Sequence, residues 1–204
     1  VPRIRGANID EHHEMVWADL AEAMRQLLLE QDYESINMGH IAARAGLARN
    51  TLYNYARDKT ALVLALAHRA GRPAVARVAA IAAREAEPAA DRLAGIVEAV
   101  LAASTDQGMQ LMFRPGTGLP VTEIPKGPDA PLHEIVVAVE NVVRDGIDRG
   151  EFRDVDDVRL TVELLSGVMR SGVERLSREP SAFADTLRAA REIVLASLAR
   201  PGGR

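Results

Sequence analysis

The sequence predicts an all-α fold, a small N-terminal three-helix bundle followed by a larger helical domain. Three observations carry this expectation. Aromatic residues are only 3% of the 204-residue chain, and β-branched residues outside short valine runs are few, whereas the helix formers alanine and leucine abound. Apolar residues recur at three- and four-residue spacing through most of the chain. Hydrophobic residues make up 48%, enough to build a core and too many for a disordered chain. The length suits one large domain or a small domain joined to a mid-sized one.

The elements follow in order. Residues 12–31 read as an amphipathic helix with Val16, Leu20, Ala23, Met24, Leu27 and Leu28 on one stripe. Glu30, Gln31 and Asp32 end it, with Asp32 expected as a left-handed cap. Tyr33 and Ile36 are apolar plugs for the next turn. Asn37 is an N-cap for a short helix over 38–45 that buries Ile41, Ala42 and Ala45, and Gly46 closes it. A second short helix over 48–54 turns Leu52 inward. A long helix starts at Asp58 and runs through Leu62, Leu66 and Arg69, with Pro73 expected to bend or split it near Gly71 and Arg72. Beyond Pro88, Asp91 opens a helix with Leu93, Val97, Val100 and Leu101. A short helical piece near 106–113 precedes residues 114–131, whose five prolines and three glycines mark a functional or mobile loop. Residues 132–149 carry Ile135, Val136, Val139, Val142 and Val143 and stop at Gly150. The stripe Val158, Val162, Leu165, Met169, Gly172 and Leu176 defines a helix over 155–178. Pro180-Ser181 separates it from a last helix over 182–199 with Phe183, Leu187, Ala190, Val194 and Leu198. This makes roughly nine helices in two domains, 1–60 and 61–204.

The formal net charge of −4 argues weakly against a nucleic-acid partner. By segment the picture changes. Residues 1–36 hold three Arg against eight Asp/Glu, a balance of −5. Residues 37–60 hold Arg44, Arg49, Arg57 and Lys59 against Asp58 alone, a balance of +3. Residues 61–204 hold eighteen basic against twenty acidic residues, a balance of −2. The basic island also contains Tyr53 and Tyr55.

That island is a helix-turn-helix pattern. The turn Ala45-Gly46-Leu47-Ala48 joins two short helices, small residues let them approach, and Ile41, Leu47 and Leu52 form the wedge. The second helix shows Arg49, Asn50, Thr51, Tyr53 and Asn54, side chains suited to guanine, adenine and phosphate oxygens.

Glu30-Gln31-Asp32-Tyr33, Ile41-Ala42, Ala45-Gly46-Leu47, Thr51-Leu52-Tyr53-Asn54-Tyr55, Lys59 and Leu62 keep one spacing over residues 15–66. In these the chain resembles the TetR-like bacterial transcriptional repressors. It departs from their usual pattern at Asp32, Ala48, Asn50 and Ala56; Ala48 and Asn50 bear on base preference and not on fold, and Ala56 slightly weakens the packing under Tyr55. Gly150-Glu151-Phe152-Arg153-Asp154 is similar to a connection that precedes the dimerising helices of such proteins.

The resemblance implies phosphate contacts from Thr51, Tyr53, Tyr55 and Lys59 and base contacts from Arg49 and Asn50. Asn54 and Arg44 are additional candidates, and Asn37 and His40 stand where helix amides attract phosphate. Arg3 and Arg5 lie on an N-terminal arm that could reach a minor groove or stay unstructured. It further implies a homodimer on a double-stranded palindromic operator, released when a small-molecule effector binds the second domain. Val97, Leu101, Met109, Met112, Phe113, Val136, Val139, Glu140, Leu165 and Met169 are the candidate pocket. Leu165, Met169, Gly172, Leu176, Leu187, Ala190 and Val194 are the candidate dimer surface.

Other function classes find little support. The chain lacks cysteine, so disulfides, thiol nucleophiles and cysteine-ligated zinc are excluded. His12, His13, His40, His68 and His133 have no metal-ligand spacing, and Gly116-Thr117-Gly118 lacks the strand–helix context of a phosphate loop. No enzyme activity, metal or cofactor is expected. No apolar run reaches the ~18 residues of a membrane span and no signal peptide is read, so the expected location is the cytoplasm. The rival reading is a helical ligand- or protein-binding module with weak or lost sequence-specific DNA binding, which Ala48 and Ala56 keep open.

Overall fold

The computed structural model describes residues 8–106, 130 and 132–200. Among the described residues there are eight α-helices and no strand, the expected all-α class. They divide into a head, through Arg69, and a body, from Ala70. The division falls inside a helix. The reason is packing: Leu62 and Leu66 belong to the head's core, so the start of that helix is part of the head.

In the head, α1 spans Ile9–Glu30. It starts ahead of the expected residue 12 because Asn8 caps it, its side chain accepting from the Glu11 N–H at 2.8 Å. Val16, Leu20, Ala23, Met24 and Leu27 are its buried stripe. Asp32 is extended (φ −65°, ψ 147°) and not left-handed, because a 3₁₀ turn over Tyr33–Ser35 follows it directly. Tyr33 and Ile36 are buried plugs, 3% and 2% exposed. Helix α2 is Met38–Arg44 and α3 is Arg49–Tyr53. Helix α4, Lys59–Ala82, begins where the Asp58 carboxylate accepts from the Ala61 N–H at 2.7 Å.

Pro73 sits inside α4, so of the expected bend or split the split does not occur. An interior proline forfeits one backbone hydrogen bond. Here burial secures the helix on both sides: Leu62, Leu66 and Ala67 before it, Ala74, Val78 and Ile81 after it.

The body adds α5 (Ala89–Ala103), α6 (His133–Asp148), α7 (Val158–Arg178) and α8 (Phe183–Leu198). The expected helix near 106–113 and the loop 114–131 lie, apart from Asp106 and Ala130, outside the described residues. Leu93, Leu101, Val142, Val143, Leu176 and Leu198 are among the side chains buried together in the core.

One junction ties α5 to α6. Arg92 is only 2% exposed. Its guanidinium pairs with Asp145 and donates to the Ala82 carbonyl at 3.0 Å, the partnering that a buried charge requires. Glu151 accepts from the Ala89 N–H at 2.6 Å and so caps α5 from the far side of the chain. Gly150 (φ +71°) ends α6 in the left-handed region. Gly146 lies so close to Phe152 that an added Cβ would stand 2.3 Å from the ring.

Gly146→Ala is therefore expected to destabilise the protein by about 1–3 kcal/mol through overpacking. In a Phe152→Leu background the same substitution should cost less, as denaturant unfolding of the four proteins in the cycle would measure.

Candidate nucleic-acid interface

The head places a helix, a tight turn and a second helix in succession. Asn37 starts α2, its side-chain oxygen accepting from the His40 N–H at 3.0 Å. Ile41 and Ala42 are buried beneath it. The chain leaves α2 through Gly46 at φ +67°, and the Leu47 N–H closes back on the Ala42 carbonyl at 2.8 Å. A Cβ on Gly46 would meet nothing within 4 Å, so glycine is required for its backbone angle and not for space. Ala48 then opens α3 without a side-chain cap. Leu52 is fully buried and anchors α3 in the head.

This leaves Arg49, Asn50, Tyr53 and Asn54 exposed on α3, with Thr51 half-buried. The Arg49 guanidinium stands 6.0 Å from the centre of the Tyr53 ring. Asn37 and His40 are exposed at the start of α2, and the Asn37 amide nitrogen is 3.2 Å from His40 Nε2. These six exposed side chains are amide, imidazole, phenol and guanidinium groups, suited to base edges and phosphate oxygens.

Three other sequence candidates are engaged within the head. Arg44 grips Glu30 of α1 with two hydrogen bonds, 2.9 and 2.6 Å, and donates a third to Gln26 at 3.3 Å. Gln26 donates to Glu22, which Arg25 also holds. The fork of Arg44 lowers the Glu30 carboxyl below its ordinary range. Hydrogen bonds from Arg25 and Gln26 bring Glu22 down to about 2. Lys59 donates to the Tyr33 carbonyl at 2.6 Å with its ammonium 3.8 Å from the centre of the Tyr33 ring. Tyr55 is half-buried edge-to-face with Trp17 at 5.4 Å, and burial raises its phenol pKa. Glu30, Gln26 and Trp17 were not among the sequence candidates; they come from α1, where no periodicity links them to the turn.

Residues 20–66 match the family model of bacterial regulatory proteins, tetR family. Most of the head is thus similar to this family. The sequence finds no match among curated proteins. Solved structures share the fold of nearly the whole chain. The regulator FadR of Bacillus subtilis, determined with stearoyl-CoA, superposes with a TM-score of 0.71 at 16% identity, over 91% of this chain and 99% of its own. SmeT, the repressor of a multidrug efflux pump of Stenotrophomonas maltophilia, gives 0.69 at 17% identity over 93% and 91%. A putative regulator of Pseudomonas aeruginosa gives 0.69 at 23% identity over 90% and 88%.

In the body, the pocket candidates Val97, Leu101 and Leu165 are buried, and Val136, Val139, Glu140 and Met169 are half-buried. Glu140 pairs with Arg144 at 2.8 Å on its own helix. Met109, Met112 and Phe113 lie outside the described residues. Of the dimer candidates, Leu165, Gly172, Leu176, Ala190 and Val194 are buried within the protomer, and Met169 and Leu187 half-buried. The apolar side chains that α7 and α8 leave open are Leu160, Leu164 and Ile193, at 52%, 67% and 52% exposure.

The Arg44–Glu30 fork has a pH signature. The folded carboxyl titrates below its unfolded value, so its contribution is present above about pH 4.5 and lost as the pH falls through the folded pKa. Glu30→Gln should lower the melting temperature at pH 7, modestly because the pair is exposed. The gap to the native protein should close as melts are taken at lower pH below that range.

Proposed function

We propose that the chain is a DNA-binding transcriptional repressor that works as a homodimer and leaves a palindromic operator when a small molecule binds its body. The exposed Arg49, Asn50, Tyr53 and Asn54 on a TetR-family helix-turn-helix carry the reading. Arg49 and Asn50 read base edges, Tyr53 and Thr51 hold phosphate, and Asn37, His40 and Asn54 add contacts at the margins. Arg44, Lys59 and Tyr55 serve chiefly to hold the head in shape, since their polar or ring contacts are already made inside it.

A single short recognition helix binds DNA weakly, and two of them must meet half-sites a helical turn (~34 Å) or a multiple apart. The dimer surface we infer is the open stripe of α7 and α8. Leu160, Leu164, Gly167 and Ser171 recur at helical spacing, as do Ala189 and Ile193, and all are exposed in the protomer. Small residues among large ones permit close helix packing.

Stearoyl-CoA in FadR and triclosan in SmeT each join an apolar body to polar atoms, and the apolar side chains of α5, α6 and α7 in this body suit an effector of that kind. Val136, Val139 and Met169, half-buried beside Val97, Leu101 and Leu165, are the described wall of the proposed pocket, with Glu140 as a polar contact. Release requires the effector to favour, by several kcal/mol, a form of the dimer whose heads no longer fit the operator. Helix α4 is shared by both units and is the covalent route for that signal.

Selection from a random pool of duplexes tests the reading: the protein should enrich a two-fold symmetric sequence. Enrichment of nothing would favour a module without sequence-specific DNA binding. Arg49→Ala should relax base choice at one position of each half-site, at about 1–3 kcal/mol per bidentate contact, while Tyr53→Phe should weaken all duplexes alike. For the dimer, Leu164→Asp should shift the sedimentation mass from twice to once the 22.1 kDa of the chain. For the effector, stearoyl-CoA or triclosan should raise the melting temperature and lower operator affinity together.

A further inference from the structure

Arg69 makes two contacts at once. Its guanidinium pairs with Glu14 of α1, and its central carbon stands 5.0 Å from the centre of the Trp17 ring. The Arg69 side chain is 22% exposed, so it is largely withdrawn from solvent. Trp17 meets Tyr55 edge-to-face, with centroids 5.4 Å apart at 85°. His13, also on α1, meets the same Tyr55 ring at 5.6 Å and 65°. Tyr55 is two residues past the end of α3, and its N–H still bonds the Leu52 carbonyl at 2.9 Å. The contacts therefore run from α4, through α1, to the last turn of the recognition helix.

Resting on the DNA-binding reading above, we propose that Arg69 is a positioning residue for base recognition, holding α3 in its reading orientation through Trp17 and Tyr55. Helix α3 is too short to hold its own orientation. Five residues cannot sustain a helix alone, and Ala48 gives it no side-chain cap. Leu52 pins its middle. The ring of Tyr55 pins its end, and Trp17 is one of the two α1 rings that hold that ring, with His13 the other. A cation over the indole face and an ion pair along the same helix fix Trp17 in turn. Base-edge hydrogen bonds need donor and acceptor within a few tenths of an ångström. Phosphate attraction falls off slowly with distance. Loosening α3 therefore removes sequence discrimination and leaves non-specific binding in place.

The test compares the native protein with Arg69→Met and Arg69→Lys. The probes are the duplex that the native protein enriches from a random pool and a scrambled duplex of the same composition. Arg69→Met should lower the ratio of the two affinities about tenfold, with scrambled-duplex affinity and its salt slope unchanged. Arg69→Lys keeps a cation over the ring and should restore most of the ratio. Trp17 is the single tryptophan, so its emission should shift in the methionine variant and return in the lysine variant. An unchanged ratio in a folded Arg69→Met overturns the proposal. A parallel loss on both duplexes with a shallower salt slope also overturns it, since that marks a phosphate contact. If Arg69→Met does not fold, Glu14→Gln replaces it; a smaller loss of ratio is expected, and an unchanged ratio overturns the proposal. If the native protein enriches no sequence, the DNA reading itself falls and this role falls with it; an enriched sequence with an intact variant ratio removes only the role of Arg69.

Discussion

Helix α3 has five residues, and the architecture of the head answers the need to hold so short a helix still. Its own hydrogen bonds cannot do so. Leu52 enters a core built by Leu20, Met24, Ile41 and Leu62, from α1, α2 and α4. The turn before it is held by Gly46 in the left-handed region and the stretch after it by the Tyr55–Trp17 contact. Burial fixes where the helix lies, and the ring contacts bear on how it is turned.

The cations of the head divide accordingly. Arg25, Arg44 and Arg69 are each paired with a carboxylate of α1. Lys59 is engaged by a backbone carbonyl. Arg49, on α3, has an aromatic ring beside it and no carboxylate among its described contacts. The acidic balance of residues 1–36 thus has a structural use, since part of it neutralises arginines that organise the bundle. A basic island read from sequence overstates the charge open to a polyanion, because pairing removes some of it. What remains depends on hydrogen-bonding side chains more than on net charge.

The body meets a different constraint, how closely helices can approach. Gly146 lets Phe152 close against α6, and Gly172 lies within 3.1 Å of Leu101 when a Cβ is placed on it. At Gly146 the contact leaves no room for a larger residue, and at Gly172 the Leu101 side chain would have to give way. Arg92, buried and partnered by Asp145 and the Ala82 carbonyl, specifies the junction by charge as well as shape.

The all-α class, the helix-turn-helix and the residues exposed on α3 were legible in the sequence. Each of these rests on local signals: 3.6-residue periodicity, a cap at Asn37, a left-handed glycine at Gly46. Asn8 was legible in the same way, with Glu11 three residues later, though the expected helix began after it. Tertiary packing settled the rest. It carried α4 through Pro73, because packing on both sides outweighs one lost hydrogen bond. It turned Arg44 to Glu30, fourteen residues away, and Arg69 to Glu14, fifty-five away. On α7 and α8 it chose which apolar stripe the protomer buries and which it leaves open. A helix with apolar residues on two faces is compatible with either choice, and the neighbours that settle it come from distant parts of the chain.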